Sequence, residues 1–349
     1  MKTTRLGRTD LMVSEICLGS MTWGSQDSES EGHAQLDHAT SARGINFIDT
    51  AEMYPVNPVA KETAGRTEEI IGTWLAKRGK RDDLVIATKA ASFGGKAVRD
   101  GAPVTAETLR EAVEGSLKRL QTEYIDLYQI HWPNRGSYHF RQTWNFDPSK
   151  QNREETLANM AECLEALEAM RKEGKIRHFG LSNETAWGTA QWLRLAEEGH
   201  GPRVATMQNE YSLLCRLYDL DMAELSVNED VTLLAYSALG AGLLGGQYKG
   251  GTVIPEGSRR SKVPDLGGRV TPRVWAAVEA YRAIAQEAGL DPVTMAIAFT
   301  MQRPFKCVPI IGGRSIAQLD PAIDAAGVVL DDQVKAKISA AYRAHPMPF

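Results

Sequence analysis

Several things are scarce in this chain of 349 residues, and each scarcity removes a class of function. The four cysteines, Cys17, Cys163, Cys215 and Cys307, are scattered, with no C-x-x-C pair and no ligand-like spacing to the seven histidines. That argues against a metal cluster or a disulfide framework and suits a reducing compartment. Positive charge is not in excess. With 40 Lys and Arg against 44 Asp and Glu the net charge is -4, so nothing draws the chain to phosphate polymers or anionic membranes at long range. No nucleic-acid partner is expected, and any phosphate recognition has to be local. No apolar run is long enough to span a bilayer, and the amino terminus carries charge with no apolar stretch behind it. The expectation is a soluble, cytoplasmic protein.

Low-complexity linkers and internal repeats are also missing, so nothing divides the chain, and residues 1–349 are read as one domain. What is present is core material, 43% hydrophobic residues against 24% charged, an ordinary globular balance. Residues 3–13 alternate around Gly7-Arg8-Thr9-Asp10 and predict a small hairpin. Strands are then expected at 16–19, 45–48, 84–87, 124–130, 176–181, 204–207, 231–235 and 308–311, with helices between them. Ser28-x-x-Glu31 and Ser315-x-x-Gln318 have the form of capping boxes, and Asp291-Pro292 that of a helix start. Eight strand–helix units can close into a barrel or spread into a doubly wound sheet. No G-x-G-x-x-G follows the first strand, which decides against the sheet. The fold class is therefore α/β, a (β/α)8 TIM barrel with an N-terminal β-hairpin and extra C-terminal helices. Residues 133–153 and 240–270 are long excursions on the face where such barrels build their sites.

The first polar residues past these strands are Asp49, Lys89, His131, Ser182 with Asn183, Gln208, Tyr236 with Ser237, and Gly312-Gly313-Arg314. In a parallel barrel all of them meet on one rim. An acid, a lysine, a histidine and the nearby Tyr54, with no metal pattern, point to proton transfer coupled to other chemistry. Tyr54 is the natural proton donor, and its phenol needs a cation to bring it toward neutrality. Lys89 offers that cation, Asp49 an ion pair to hold it, and His131 a group to orient the oxygen that receives the proton. A tyrosine acid implies a hydride carrier. Ser182, Asn183 and Gln208 suit a carboxamide, Tyr236 suits stacking on a nicotinamide ring, and the helix opened by Gly312-Gly313-Arg314-Ser315 suits phosphate. Arg314, with no acid near it in sequence, favours NADPH/NADP+ over the unphosphorylated cofactor.

Asn46-Phe47-Ile48-Asp49-Thr50-Ala51-Glu52-Met53-Tyr54, the isolated Lys89, Ile125-Asp126-Leu127-Tyr128-Gln129-Ile130-His131-Trp132, Gly180-Leu181-Ser182-Asn183, Gln208 and Tyr236-Ser237-x-Leu239-Gly240-x-Gly242 resemble, in that order, the signatures of the aldo-keto reductases. The likeness spans almost the whole chain and is greatest to the bacterial Tas-like branch. It implies an NADPH-dependent reductase of aldehyde and ketone carbonyls, with Tyr54 as proton donor, Asp49 and Lys89 tuning it and His131 orienting the carbonyl. It further implies that Trp23 lies on the first active-site loop, and that Ser237, Leu239, Gly240, Leu243, Arg314 and Gln318 line the dinucleotide. Four positions depart from the family pattern. Pro55 follows the tyrosine in place of glycine, Ala322 replaces an asparagine beyond Gln318, and Gly245 and Gln247 replace a threonine and a lysine.

Plainer roles compete with these. His131 can be a satisfied structural histidine, Lys89 a rim lysine, Asp49 a turn cap, and Gln318 merely half of a capping box. The aromatic excursion holding Trp132, Tyr138 and Trp144 can pack the loop or, with Trp23 and Tyr54, line the substrate pocket. A small-molecule carbonyl substrate is the expected partner, and homo-oligomerisation is left open. Two other functions also stay open, a cofactor-bound regulatory or partner-binding subunit and a cofactor-free lyase or hydrolase using only the eighth-strand site.

Overall fold

The computed structural model describes residues 1–349. The chain opens with β1 (Thr3–Arg5) and β2 (Met12–Ser14), paired antiparallel as the expected hairpin. The turn between them needs glycine. Gly7 has φ +46, and a Cβ there would stand 2.5 Å from the Ala205 carbonyl oxygen, so the turn lies directly against the barrel floor.

Strand and helix then alternate in chain order: β3 (Cys17–Gly19), α1 (Glu29–Asp37), β4 (Phe47–Asp49), α2 (Arg66–Arg78), β5 (Val85–Ala90), α3 (Ala106–Leu120), β6 (Ile125–Ile130), α4 (Arg153–Lys172), β7 (Ile176–Ser182), α5 (Ala186–Glu197), β8 (Val204–Glu210), α6 (Asp221–Glu229) and β9 (Thr232–Tyr236). After β9 come a short α7 (Arg259–Lys262) inside the 240–270 excursion, α8 (Val274–Glu287), α9 (Pro292–Met301), β10 (Cys307–Ile311), α10 (Ile316–Asp324) and α11 (Asp332–Ala344). The eight later strands, β3 to β10, close into a parallel barrel in which β10 pairs with both β3 and β9. The fold is therefore the (β/α)8 barrel expected, with its hairpin and C-terminal helices.

Successive strand residues face opposite sides, and that alternation splits the core in two. Ile48, Ile86, Tyr128, Phe179, Met207 and Leu233 face outward and join the helices in one large apolar cluster. Phe47, Val85, Ala87, Leu127, Leu234 and Val308 face inward and pack with Leu6, Leu11 and Val13 of the hairpin, which plugs the floor. Above that layer the inward positions turn polar.

Most helix starts match the sequence signals. Ser28 accepts from the Glu31 amide at 3.3 Å while the Glu31 carboxylate accepts from the Ser28 amide at 2.7 Å. Asp291 caps α9, accepting from the amides of Val293 at 2.8 Å and Thr294 at 3.1 Å. The capping box expected at Ser315 does not form. The Ser315 side chain makes no cap bond, and the Gln318 side-chain oxygen instead accepts from the Arg314 amide at 2.9 Å. No helix is long and apolar enough to cross a membrane.

Candidate active site

The polar layer begins with Asp49, the last residue of β4, and Lys89, the fifth of β5. Neither lies beyond its strand as the sequence implied. Both are inward-facing strand residues, with Asp49 at 2% exposure and Lys89 at none. Lys89 Nζ donates to Asp49 Oδ2 at 2.7 Å and to the Thr50 carbonyl at 2.6 Å. The other carboxylate oxygen, Oδ1, accepts from Gln208 Nε2 at 2.9 Å and Gln129 Nε2 at 3.3 Å. Burial presses the Lys89 pKa down, but Asp49 and Tyr54 outweigh it and the ammonium is held above its ordinary value.

Tyr54 stands on the loop after β4, fixed by its own amide to the Ala51 carbonyl at 3.0 Å and by the Gly65 amide to its carbonyl at 3.0 Å. Lys89 Nζ lies 5.2 Å from the centre of its ring, within cation–π range. The sequence reading has Lys89 drawing the phenol toward neutrality. Burial instead raises the pKa of Tyr54 overall, with Lys89 opposing that rise. The His131 ring meets Tyr54 edge-on with centres 5.8 Å apart. Burial, and then Lys89, hold His131 well below its ordinary pKa, so its ring is neutral at physiological pH. Its buried Nδ1 has no protein partner.

An aromatic run leads outward from this centre. His131 and Trp132 centres are 4.9 Å apart, Trp132 and Phe140 6.1 Å, and Trp132 Nε1 donates to the Phe93 carbonyl at 3.0 Å. The other pocket candidates stand elsewhere. Trp23 has no exposed surface, and its indole donates to Gln35 Oε1 at 3.1 Å beneath α1, so it supports the first loop from below and lines no pocket. Trp144 is 60% exposed, with the Arg273 guanidinium 5.4 Å over its ring, which ties it to the turn before α8. Tyr138 borders a small cavity shared with Cys215, Tyr218 and the C-terminal Phe349.

Beside Asp49, Tyr54, Lys89 and His131, the other rim residues hydrogen-bond to one another and to the strand ends. Ser182 donates to the Gln208 carbonyl at 2.9 Å, Asn183 Nδ2 to the His131 carbonyl at 2.9 Å, and the Tyr236 hydroxyl to Asn183 Oδ1 at 2.7 Å. Asn183 takes φ +53, a region that asparagine tolerates better than most residues. Gln208 spends its amide on Asp49. Leu239 is half-buried, while Gly240 and Leu243 are buried, Leu243 within the large core. Ala322, where the family often has asparagine, is a buried core residue.

Glu210 was not foreseen. It ends β8, two residues beyond Gln208, and its buried carboxylate takes Arg141 at 2.9 Å from the 133–153 excursion and Arg269 at 2.7 Å from the 240–270 excursion. Arg269 also reaches Ser237 Oγ at 3.3 Å. Arg259, at the start of α7, makes no ion pair, and its buried Nε has no hydrogen-bond partner. Burial, with Arg269 and Arg141 nearby, lowers its pKa to about 10. The place of Glu210 on β8 follows from period-two spacing beyond Gln208; Arg141 and Arg269 lie in loops, where no such spacing applies.

At the same mouth, Gly312 and Arg314 are exposed ahead of α10. Arg314 Nη1 donates to the Gly257 carbonyl at 2.8 Å and Nη2 to the Gln26 carbonyl at 3.4 Å. Its Nε lies 3.5 Å from Asp27 Oδ1. An acid therefore stands beside Arg314 in space, although none does in sequence.

This geometry agrees with the comparisons. The model of the Aldo/keto reductase family matches residues 15–343. The chain belongs to the aldo/keto reductase family. Protein tas of Escherichia coli (strain K12) is 41% identical over 355 residues, covering 100% of this chain and 99% of that protein, which supports the Tas-like branch. The uncharacterized oxidoreductase YrpG of Bacillus subtilis (strain 168) is 32% identical, covering 96% and 94% of the two chains. Norsolorinic acid reductase B of Aspergillus parasiticus is 29% identical, covering 96% and 82%. As a member of the aldo/keto reductases the protein is an oxidoreductase, in a family that generally uses nicotinamide cofactors.

Proposed function

We propose that this aldo/keto reductase reduces the carbonyl of small aldehydes or ketones with NADPH, and that Tyr54 gives the proton. The observation that carries this reading is the sealed Asp49–Lys89 pair with its ammonium 5.2 Å from the centre of the Tyr54 ring. A buried phenol resists ionisation, so Tyr54 stays protonated until a substrate oxygen gains negative charge. Lys89 then stabilises the phenolate left behind. Asp49, held in turn by Gln129 and Gln208, keeps the ammonium at that spot. His131, neutral and edge-on to Tyr54, donates to the carbonyl oxygen without competing as an acid. The aromatic run from His131 to Phe140 supports a substrate with an apolar or aromatic body.

The chain's free donors fit a phosphorylated dinucleotide. Arg259 is an unpaired and largely buried cation, and Gly312, Gly313 and Arg314 expose the amino end of α10. Arg259, Arg314 and Gln318 would hold its phosphates, Ser182, Asn183, Gln208 and Tyr236 its nicotinamide end, and Ser237, Leu239, Gly240 and Leu243 the segment between. When bound, the nicotinamide supplies the hydride that the carbonyl carbon accepts. A single domain over residues 1–349 carries the reaction, in the cytoplasm, where four free cysteines are stable.

The test is a panel of aldehydes and ketones incubated with protein and NADPH, following loss of reduced cofactor. Steady turnover on several of them supports the reading. Tight NADPH binding without turnover on any would transfer the chain to the regulatory class.

A further inference from the structure

The Asp27 side chain is 1% exposed, and neither of its carboxylate oxygens has a hydrogen-bond partner. A buried carboxylate is costly without donors or a counter-charge. The counter-charge here is Arg314, whose Nε lies 3.5 Å away while its two Nη groups are spent on the carbonyls of Gly257 and Gln26. Arg314 is 43% exposed. The same guanidinium is thus the lid over a buried anion and the exposed cation at the amino end of α10.

We infer that Asp27 is a specificity-determining residue that holds down the protein's preference for NADPH over NADH; this rests on the function proposed above. A 2′-phosphate that engages Arg314 draws charge away from Asp27 and brings a second anion toward the first. Both effects oppose the phosphorylated cofactor alone. A free 2′-hydroxyl makes no such demand on Arg314, and where the guanidinium shifts, the unpartnered Asp27 carboxylate is an acceptor for it. The pair therefore weighs the two cofactors against each other, Arg314 for the phosphate and Asp27 against it.

The experiment measures dissociation constants for NADPH and NADH by quenching of tryptophan fluorescence, in wild type, Asp27→Asn and Asp27→Glu. Asp27→Asn should tighten NADPH binding by about fivefold to tenfold and leave NADH unchanged or weaker, the size expected for removing one nearby like charge. Asp27→Glu keeps the charge and should keep a ratio near wild type. A purely structural role would move both constants together, and an unchanged ratio, or one shifted toward NADH, overturns the inference. If Asp27→Asn does not fold, Asp27→Ser supplies the neutral variant. Wild-type protein that binds neither cofactor would overturn the proposed function itself, whereas binding of both with a ratio insensitive to Asp27 overturns this inference alone.

Discussion

The Asp49 carboxylate and the Lys89 ammonium meet at 2.7 Å inside the barrel, both shut away from solvent, and Asp49 is also the acceptor for two glutamine side chains. Removing one member strands the other. Lys89→Met should cost about 3 to 5 kcal/mol of stability, because it leaves a buried charge unpaired. The double variant Asp49→Asn, Lys89→Met should recover much of that loss while remaining inactive. Urea unfolding of wild type, both single variants and the double variant checks this; additive losses in the double variant would show that the two groups are not coupled.

Tyr54→Phe keeps the ring packed on His131 and deletes only the hydroxyl. Turnover should fall by about 10²- to 10⁴-fold, the usual contribution of a positioned acid, with the NADPH dissociation constant within about twofold of wild type. A variant that keeps a tenth of the wild-type rate would remove Tyr54 from the role of donor.

Burial lowers the pKa of His139 from 6.5 to about 4, and its Nε2 lies 3.1 Å from the Glu184 carbonyl oxygen. The sign follows from proton uptake on unfolding. Between those values the unfolded chain binds a proton that the folded chain refuses, so the contribution is intact above pH 6.5 and is lost progressively as pH falls toward 4. The loss attributable to His139 is on the order of 3 kcal/mol. Urea midpoints at pH 7.5 and 4.5 should converge in His139→Gln relative to wild type, and an equal drop in both proteins would assign the acid sensitivity to other groups.

Glu210 binds Arg141 and Arg269, so one carboxylate fastens both long excursions to the end of β8. In Glu210→Gln that anchor weakens, and Arg141, Arg259 and Arg269 are left to repel one another. Limited proteolysis should become faster within 133–153 and 240–270 together, and KM should rise more than kcat falls. Faster cleavage in one segment only would show that the excursions are fastened separately.

Much of this is legible in the sequence. The apolar runs mark where the strands end, which is how Asp49, Lys89 and Gln208 could be gathered on one rim as the first polar residues after them, and Gln129 was available by period-two spacing from Leu127. What stayed hidden depends on loop paths. Arg141, Arg269 and Arg259 reach the mouth from irregular segments whose course no periodicity specifies, and Asp27 approaches Arg314 across 287 positions of chain, the difference between their numbers. Trp23 misled for the opposite reason. Its loop borders the mouth, but a large apolar ring with one donor was better placed inward against Gln35. Burial likewise acted on Tyr54 more strongly than the neighbouring lysine did, which sequence spacing alone does not reveal.

The hairpin of β1 and β2 gives the barrel a blind end. With Leu6, Leu11 and Val13 seated in the floor, traffic of substrate and product is confined to the opposite mouth. A tag or surface linkage joined at Met1 therefore attaches behind the catalyst, leaving the working face turned outward, whereas trimming the first dozen residues would open the inner apolar layer to water.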